Sequence, residues 1–257
     1  MVRTSAPSPG ERVLRDLGMT EPEDIDLELV AWHLGVTIKT VALTTCEACI
    51  VGNERHAVIC VDETRSPERR RFSIGHELGH WHHHRGRHLI CRADEIARGS
   101  GKQLEQEADA YAADLLIPPS MLKAGLRDYK KVDLRTLREL RGRFQTSLTS
   151  IAIAIARSDR FPMAVVCSRP DGRHWAARAP SLSRWWRLRT DVDRESLAGR
   201  MLADPNEPES RYASRIGADA WFTTEGADRY EVVEQSYRSS DDEVVTIIGI
   251  LDERMMS

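Results

Sequence analysis

The sequence lacks several features that would each define a class of protein. No stretch approaches the ~18 consecutive apolar residues of a transmembrane helix, so we expect no membrane partner. The first 18 residues, MVRTSAPSPGERVLRDLG, contain no apolar core of a secretory signal, which predicts a cytoplasmic location. The formal net charge is only -3, so the overall charge provides no argument for nucleic-acid binding.

Cysteine is scarce, with five residues in a chain of 257. Without a secretory signal, we expect these thiols to be reduced. Cys46 and Cys49 form a single C-x-x-C pair, and no second pair follows at a spacing that would complete a zinc site. The pair lies between strand-like segments rather than at the start of a helix, which favours structural or incidental cysteines over a redox motif.

The sequence does contain the stretch RFSIGHELGHWHHH at residues 71–84, with an H-E-x-x-H pattern at its centre. Residues four apart lie on one face of an α-helix, so His76 and His80 can direct two imidazole nitrogens at one metal ion. Glu77 follows the first histidine, so its carboxylate can reach a water molecule at that ion without binding the ion itself. This arrangement is typical of a zinc peptidase in which the glutamate is the catalytic base.

The alternative is an amphipathic helix with solvated histidines, because the pattern is short. The longer form H-E-x-x-H-x-x-G-x-x-H is excluded, since it requires glycine at position 83 and histidine at position 86, where this chain has His83 and Gly86. We interpret the additional histidines around the helix end as solvated. They are His82, His83, His84 and His88.

A second helix is predicted at residues 102–117, KQLEQEADAYAADLLI, before Pro118 and Pro119. A catalytic zinc ion usually has three protein ligands, so this helix is expected to provide the third. Glu105 and Glu107 are the candidates, and they lie about 200° apart around the helix, so both cannot face the metal. We favour Glu105, because Asp109 shares its face and could accept a hydrogen bond from a ligand histidine. The expected cofactor is one catalytic Zn²⁺.

Together these residues resemble the ImmA/IrrE-type metallopeptidases. The matching positions are Phe72, the block His76–His80, His84, and the pattern E-x-E-A-D-x-[FY]-A-x-x-L-L-x-P from Glu105 to Pro118. The resemblance implies a gluzincin-like fold in which His76, His80 and Glu105 bind zinc, Glu77 is the base and Asp109 is the acidic residue after the ligand. It also implies an intracellular protein. Characterised members cleave helix-turn-helix repressors, or relieve repression by them, in stress response and in mobile-element control.

The fold class expected is α+β, in three parts. Residues 1–127 would form the zincin-like domain, in which a helix from Glu21, a small sheet from strands at 36–43, 49–52 and 56–61, and a helix capped by Ser66 precede the H-E-x-x-H block. Residues 128–159 would form a helix-turn-helix-like segment. Residues 160–257 would form an antiparallel-sheet module, comparable by analogy with a GAF-like sensor domain.

Two alternatives concern these later parts. The second helix of the helix-turn-helix-like segment is nearly all apolar, whereas a recognition helix needs polar side chains for base edges, so direct DNA binding stays an open alternative. In the third part we expect a hairpin at residues 161–178 and strands at 218–223, 229–238 and 243–251, the last of them central in the sheet. Four tryptophans there could line a groove or pack in the core. They are Trp175, Trp185, Trp186 and Trp221.

The sequence therefore predicts an intracellular zinc-dependent endopeptidase whose substrate is a helix-turn-helix repressor or an antitoxin. Two other functions are considered. The zinc fold could bind and sequester a repressor without cutting it, or residues 128–157 could make the protein a DNA-binding regulator.

Overall fold

A computed structural model describes residues 6–85 and 100–256. Their contacts divide the chain into two compact units. The first, which we call the N-terminal unit, comprises Met1–Ala124 and Arg141–Ser147, and the second, the C-terminal unit, comprises Gly125–Leu140 and Leu148–Ser257. The domain limits expected at residues 127 and 159 stay a prediction. Residues 86–99, which include His88 and Cys91, lie outside the described residues.

The N-terminal unit contains a three-stranded sheet, as expected. Its strands are β1 (Val36–Val41), β2 (Ala48–Gly52) and β3 (Ala57–Asp62). The order is β1-β3-β2, with β1 parallel and β2 antiparallel to β3, so β2 is an edge strand. Alternate residues Ala57, Ile59 and Val61 of β3 are buried, which follows from the period of two in a strand. Gly35 permits the turn into β1, because its φ of +76° is the left-handed conformation that glycine tolerates.

Five helices of the described residues begin in this unit. They are α1 (Pro9–Asp16), α2 (Leu27–His33), α3 (Pro67–His84), α4 (Ser100–Leu116) and α5 (Pro119–Gly125). The prediction that helix α2 starts at Glu21 is wrong, since a 3₁₀ turn forms at Pro22–Asp24 and the α-helix begins at Leu27. The side chain of Asp26 accepts the backbone N–H groups of Glu28 and Leu29 at 2.9 and 3.2 Å, so it caps α2 and starts that helix later.

Helix α3 forms as predicted, from a serine cap and a proline in its first turn. The hydroxyl of Ser66 accepts the backbone N–H of Arg69 at 3.3 Å. Ile74, Leu78 and Trp81 are buried along one side of the helix. The indole N–H of Trp81 donates to the carbonyl of Leu34 at 3.0 Å, which ties α3 to the end of α2.

The C-terminal unit is built on a five-stranded antiparallel sheet. Its strands are β4 (Met163–Arg169), β5 (Gly172–Arg178), β6 (Ser214–Gly217), β7 (Glu231–Ser240) and β8 (Glu243–Ile250). The order is β5-β4-β8-β7-β6, so β8 is central, as its apolar sequence predicts. The strand expected at 218–223 is wrong, because pairing ends at Gly217 and residues Ala218–Ala220 form a 3₁₀ turn. One short helix, α8 (Leu197–Ala203), precedes β6.

The helix-turn-helix-like segment consists of α6 (Leu134–Phe144) and α7 (Leu148–Arg157). Its first helix begins in the C-terminal unit and ends in the N-terminal unit. Within the N-terminal unit, Arg141 forms an ion pair with Glu68 at 2.7 Å. Every residue of α7 except Arg157 is buried or half-buried, and the hydroxyl of Thr149 lies 3.1 Å from that of Tyr237. Helix α7 therefore does not expose the polar side chains that reading base edges requires.

The four tryptophans do not form one groove. Trp186 and Trp221 are buried, and Trp186 packs edge-on against Phe222 and Tyr230. Trp185 is exposed and Trp175 is half-buried. Core packing therefore accounts for two of the four. In the described ranges, no helix is both long and apolar enough to cross a membrane.

Candidate metal centre

Helices α3 and α4 approach each other closely because two glycines of α3 face α4. A Cβ atom on Gly79 would lie 2.8 Å from the Cα and the carbonyl oxygen of Ala108. A Cβ atom on Gly75, one turn earlier, would lie 3.3 Å from the Cβ of Ala112. The H-E-x-x-H block therefore meets α4 almost backbone to backbone, and its histidines come within reach of side chains on that helix.

Three of the residues selected from the sequence meet at this contact. The Nε2 atoms of His76 and His80 are 3.0 Å apart. The carboxylate of Glu105 lies 3.2 Å from Nε2 of His76 and 3.4 Å from Nε2 of His80. Atoms bound at 2.0–2.1 Å to one tetrahedral zinc ion lie roughly 3.3 Å from one another. Two imidazole nitrogens and a carboxylate at these separations therefore fit a zinc ion.

The neighbouring acidic residues have different partners. Oδ1 of Asp109 lies 2.9 Å from Nδ1 of His76, as expected for a carboxylate that orients a ligand histidine. Glu107, the alternative third ligand, instead lies 3.3 Å from Nε2 of His84. The structure therefore brings Glu105 rather than Glu107 to the histidine pair.

The two histidines of the pair have different pKa values. Burial, together with the neighbouring imidazoles of His76 and His84, lowers the pKa of His80 to about 4. Burial also lowers the pKa of His76, but the hydrogen bond to Asp109 and the charges of Glu77 and Glu105 outweigh it, so that pKa is raised. A neutral imidazole is the form that binds a metal, and His80 is neutral at pH 7.

Glu77 is buried beside the pair, with 4% of its surface exposed. Burial raises its pKa to about 7, against a smaller lowering by His76. Its Oε2 atom is buried and has no hydrogen-bond partner within the described residues. A buried carboxylate oxygen without a protein partner suits a group that interacts with water or substrate.

The sequence did not predict the role of His84. We expected it at a solvated helix end, and this is wrong, since it is 4% exposed. His82 and His83 are exposed, as expected. The spacing of His76, His80 and His84, four residues apart, would have indicated that all three share one face of α3.

A helix that presents two histidines to a glutamate of a second helix, beside a small sheet, defines a zincin-like α+β domain. Residues 48–155 match the model of the Peptidase_M78 family, described as the IrrE N-terminal-like domain. This part of the chain is similar to that family, which confirms the resemblance seen in the sequence.

Among solved structures, a Mycobacterium tuberculosis transcriptional regulator has a TM-score of 0.58 to this chain. The alignment has 15% sequence identity and covers 94% of this chain and 86% of that protein. At this identity the likeness concerns the fold. No curated protein was found to match the sequence.

Proposed function

We propose that this protein is a zinc-dependent endopeptidase acting inside the cell on a protein substrate. The observation that carries the proposal is the group of His76, His80 and Glu105, whose ligand atoms all lie within 4.8 Å of one another. The family match to a peptidase domain supports it. Zinc at this site would supply Lewis acidity toward water and toward a scissile carbonyl.

Glu77 has the position and the environment of the catalytic base. It directly follows a ligand histidine, it is buried, and one of its carboxylate oxygens has no partner in the described part of the chain. It would take a proton from the attacking water and return that proton to the nitrogen of the leaving amine. Asp109 would hold His76 in the tautomer that presents Nε2 to the metal.

The edge strand β2 supports a peptide as the substrate. Within residues 6–85 and 100–256, β2 pairs on one side only, with β3, so its other edge can accept the backbone of an extended peptide. Strand β2 packs against α3, the helix that carries Glu77. A peptide added along β2 would therefore pass near the metal centre.

We propose a helix-turn-helix repressor or an antitoxin as the substrate, and a role in stress response or mobile-element control. The family resemblance supports this choice. The buried surface of α7 argues against direct DNA reading by this chain and favours action on a protein that itself binds DNA.

The test is to incubate the purified protein with a helix-turn-helix repressor of the same organism and to follow the fragments by gel and mass spectrometry. We expect cleavage that a chelator abolishes and Zn²⁺ restores. Glu77→Gln should keep its zinc and lose cleavage by at least about a hundredfold, because the base is removed but the ligands remain. A stable complex without fragments would instead support sequestration and refute the peptidase.

The assignment of the third ligand is tested by metal analysis of two variants of α4. Glu105→Ala should lose zinc, whereas Glu107→Ala should retain it with weaker affinity, because only Glu105 faces both histidines. Stoichiometric zinc in Glu105→Ala would contradict the site.

A further inference from the structure

His84 is buried although it lies at the end of a helix whose neighbouring histidines are exposed. Its Nδ1 atom lies 3.1 Å from Nδ1 of His80, and its Nε2 atom lies 3.3 Å from Oε2 of Glu107. The other oxygen of Glu107 accepts a hydrogen bond from the side-chain amide of Gln103 at 3.0 Å. A continuous chain of hydrogen bonds therefore leads from the metal centre to the start of α4.

The donor in each of these hydrogen bonds follows from which nitrogen of His80 binds the metal. If Nε2 of His80 binds a metal, its proton must be on Nδ1, and among the described residues the partner of that N–H is Nδ1 of His84. Nδ1 of His84 is then an acceptor, so the proton of His84 is on Nε2. That N–H donates to Oε2 of Glu107, which is an acceptor when ionised. The carboxylate thus fixes the tautomers of two imidazoles in succession.

The two histidines of the metal centre are therefore held in different ways. His76 is held directly by Asp109, whose side chain is 57% exposed. His80 is held indirectly, through His84, whose side chain is 5% exposed, by Glu107. A buried imidazole, rather than solvent, therefore occupies the Nδ1 side of His80.

We propose that His84 and Glu107 are positioning residues for the metal centre, which they support by fixing the tautomer and ring orientation of His80. This inference rests on the proposed function, because it requires a metal at His76, His80 and Glu105. It also assigns a separate role to Glu107, which the sequence offers as the alternative to Glu105 for the third ligand. Residues that orient a metal ligand change the metal affinity by about 10–100-fold when they are replaced.

The test is the dissociation constant for Zn²⁺ alone, measured by competition with a chromophoric chelator. We expect His84→Ala and Glu107→Ala each to weaken Zn²⁺ binding by about tenfold or more. Glu107→Gln should recover most of the affinity, because its amide oxygen can still accept from His84. The double variant should be no weaker than His84→Ala, since the two residues act through one chain of hydrogen bonds.

His83→Ala is the matched control, because His83 is an exposed histidine on the same turn whose ring lies near that of His84 but, among the described residues, takes no part in these hydrogen bonds. It should bind Zn²⁺ within about twofold of the wild type. With Co²⁺ in place of Zn²⁺, the visible absorption bands report ligand geometry. They should shift in Glu107→Ala and stay unchanged in His83→Ala.

The outcomes are distinguishable. If the wild type does not bind Zn²⁺, the proposed function fails together with this inference. If the wild type binds Zn²⁺ and both alanine variants bind it equally well, only the positioning role is refuted. If the losses of the two variants add, the single chain of hydrogen bonds is refuted. Should His84→Ala fail to fold, Glu107→Ala decides alone, because Glu107 is half-exposed and its truncation leaves the core intact.

Discussion

Gly79 controls the distance between the two helices that form the candidate metal centre, so replacing it tests the site through its packing. In Gly79→Ala the new Cβ atom would lie 2.8 Å from the backbone of Ala108, where ordinary contacts are 3.4–4 Å. Helix α4 must therefore move away by at least about 0.6 Å at this point, and such overpacking typically costs about 1–3 kcal/mol. The higher helix propensity of alanine offsets about 1 kcal/mol of this.

The displacement of α4 should affect Zn²⁺ affinity more than the free energy of unfolding. Glu105 lies one turn before Ala108 on the same helix, and metal–ligand distances tolerate only about 0.2 Å of error. We expect Gly79→Ala to weaken Zn²⁺ binding by roughly tenfold or more while the apo protein loses no more than about 2 kcal/mol of unfolding free energy. Chelator competition measures the first quantity, and urea unfolding of the apo protein measures the second.

Two other helical glycines provide a graded control. A Cβ atom on Gly75 would lie 3.3 Å from Ala112, so Gly75→Ala should have a smaller effect in the same direction. A Cβ atom on Gly142 would meet no described residue within 4 Å, so Gly142→Ala should leave Zn²⁺ affinity unchanged and stabilise α6 by up to about 1 kcal/mol. Equal Zn²⁺ affinity in Gly79→Ala and Gly142→Ala would refute the argument from helix spacing.

Two further predictions concern the C-terminal unit, and both are measured by urea unfolding. The side chain of Gln235 accepts the N–H of Leu134 at 2.9 Å, at the start of α6, so Gln235→Ala should cost about 1–2 kcal/mol by leaving that buried donor unpaired. Arg178 donates to three carbonyl groups within residues 182–186, and Arg178→Lys should cost about 1–3 kcal/mol because an ammonium cannot reproduce that fork. Arg215→Ala is the control for both variants. It removes an exposed ion pair and should change the free energy of unfolding by less than about 1 kcal/mol. A loss as large as those expected for Gln235→Ala and Arg178→Lys would contradict the reasoning from buried contacts.

The parts of the fold that local sequence determines could be predicted. Helix α3 follows from the cap at Ser66 and from the apolar spacing, and the central place of β8 follows from its continuous apolar run. The start of α2 could not be placed, because the capping of Asp26 competes with the proline signal at Pro22. The end of β6 at Gly217 is likewise set by pairing with β7 rather than by propensity.

In the candidate site, too, local sequence determines some features and packing determines others. The spacing within H-E-x-x-H places His76 and His80 on one face without any knowledge of the fold. The choice between Glu105 and Glu107 depends on how α4 is rotated against α3. Sequence periodicity does not determine this rotation and leaves both residues as candidates. The spacing of His84 from His80 indicates only that they share a face of α3, and the burial of His84 depends on packing between elements.

The return of the chain to the N-terminal unit at Arg141–Ser147 has a consequence for any attempt to isolate that unit. A recombinant fragment that ends at residue 127 would lack Phe144, which is fully buried, and the guanidinium of Arg141 that pairs with Glu68. One cut therefore cannot yield both units whole. Proteolytic trimming or gene fusion at that point would damage the N-terminal unit, and an excised fragment that keeps this unit whole needs residues up to about 147 or a graft that replaces them.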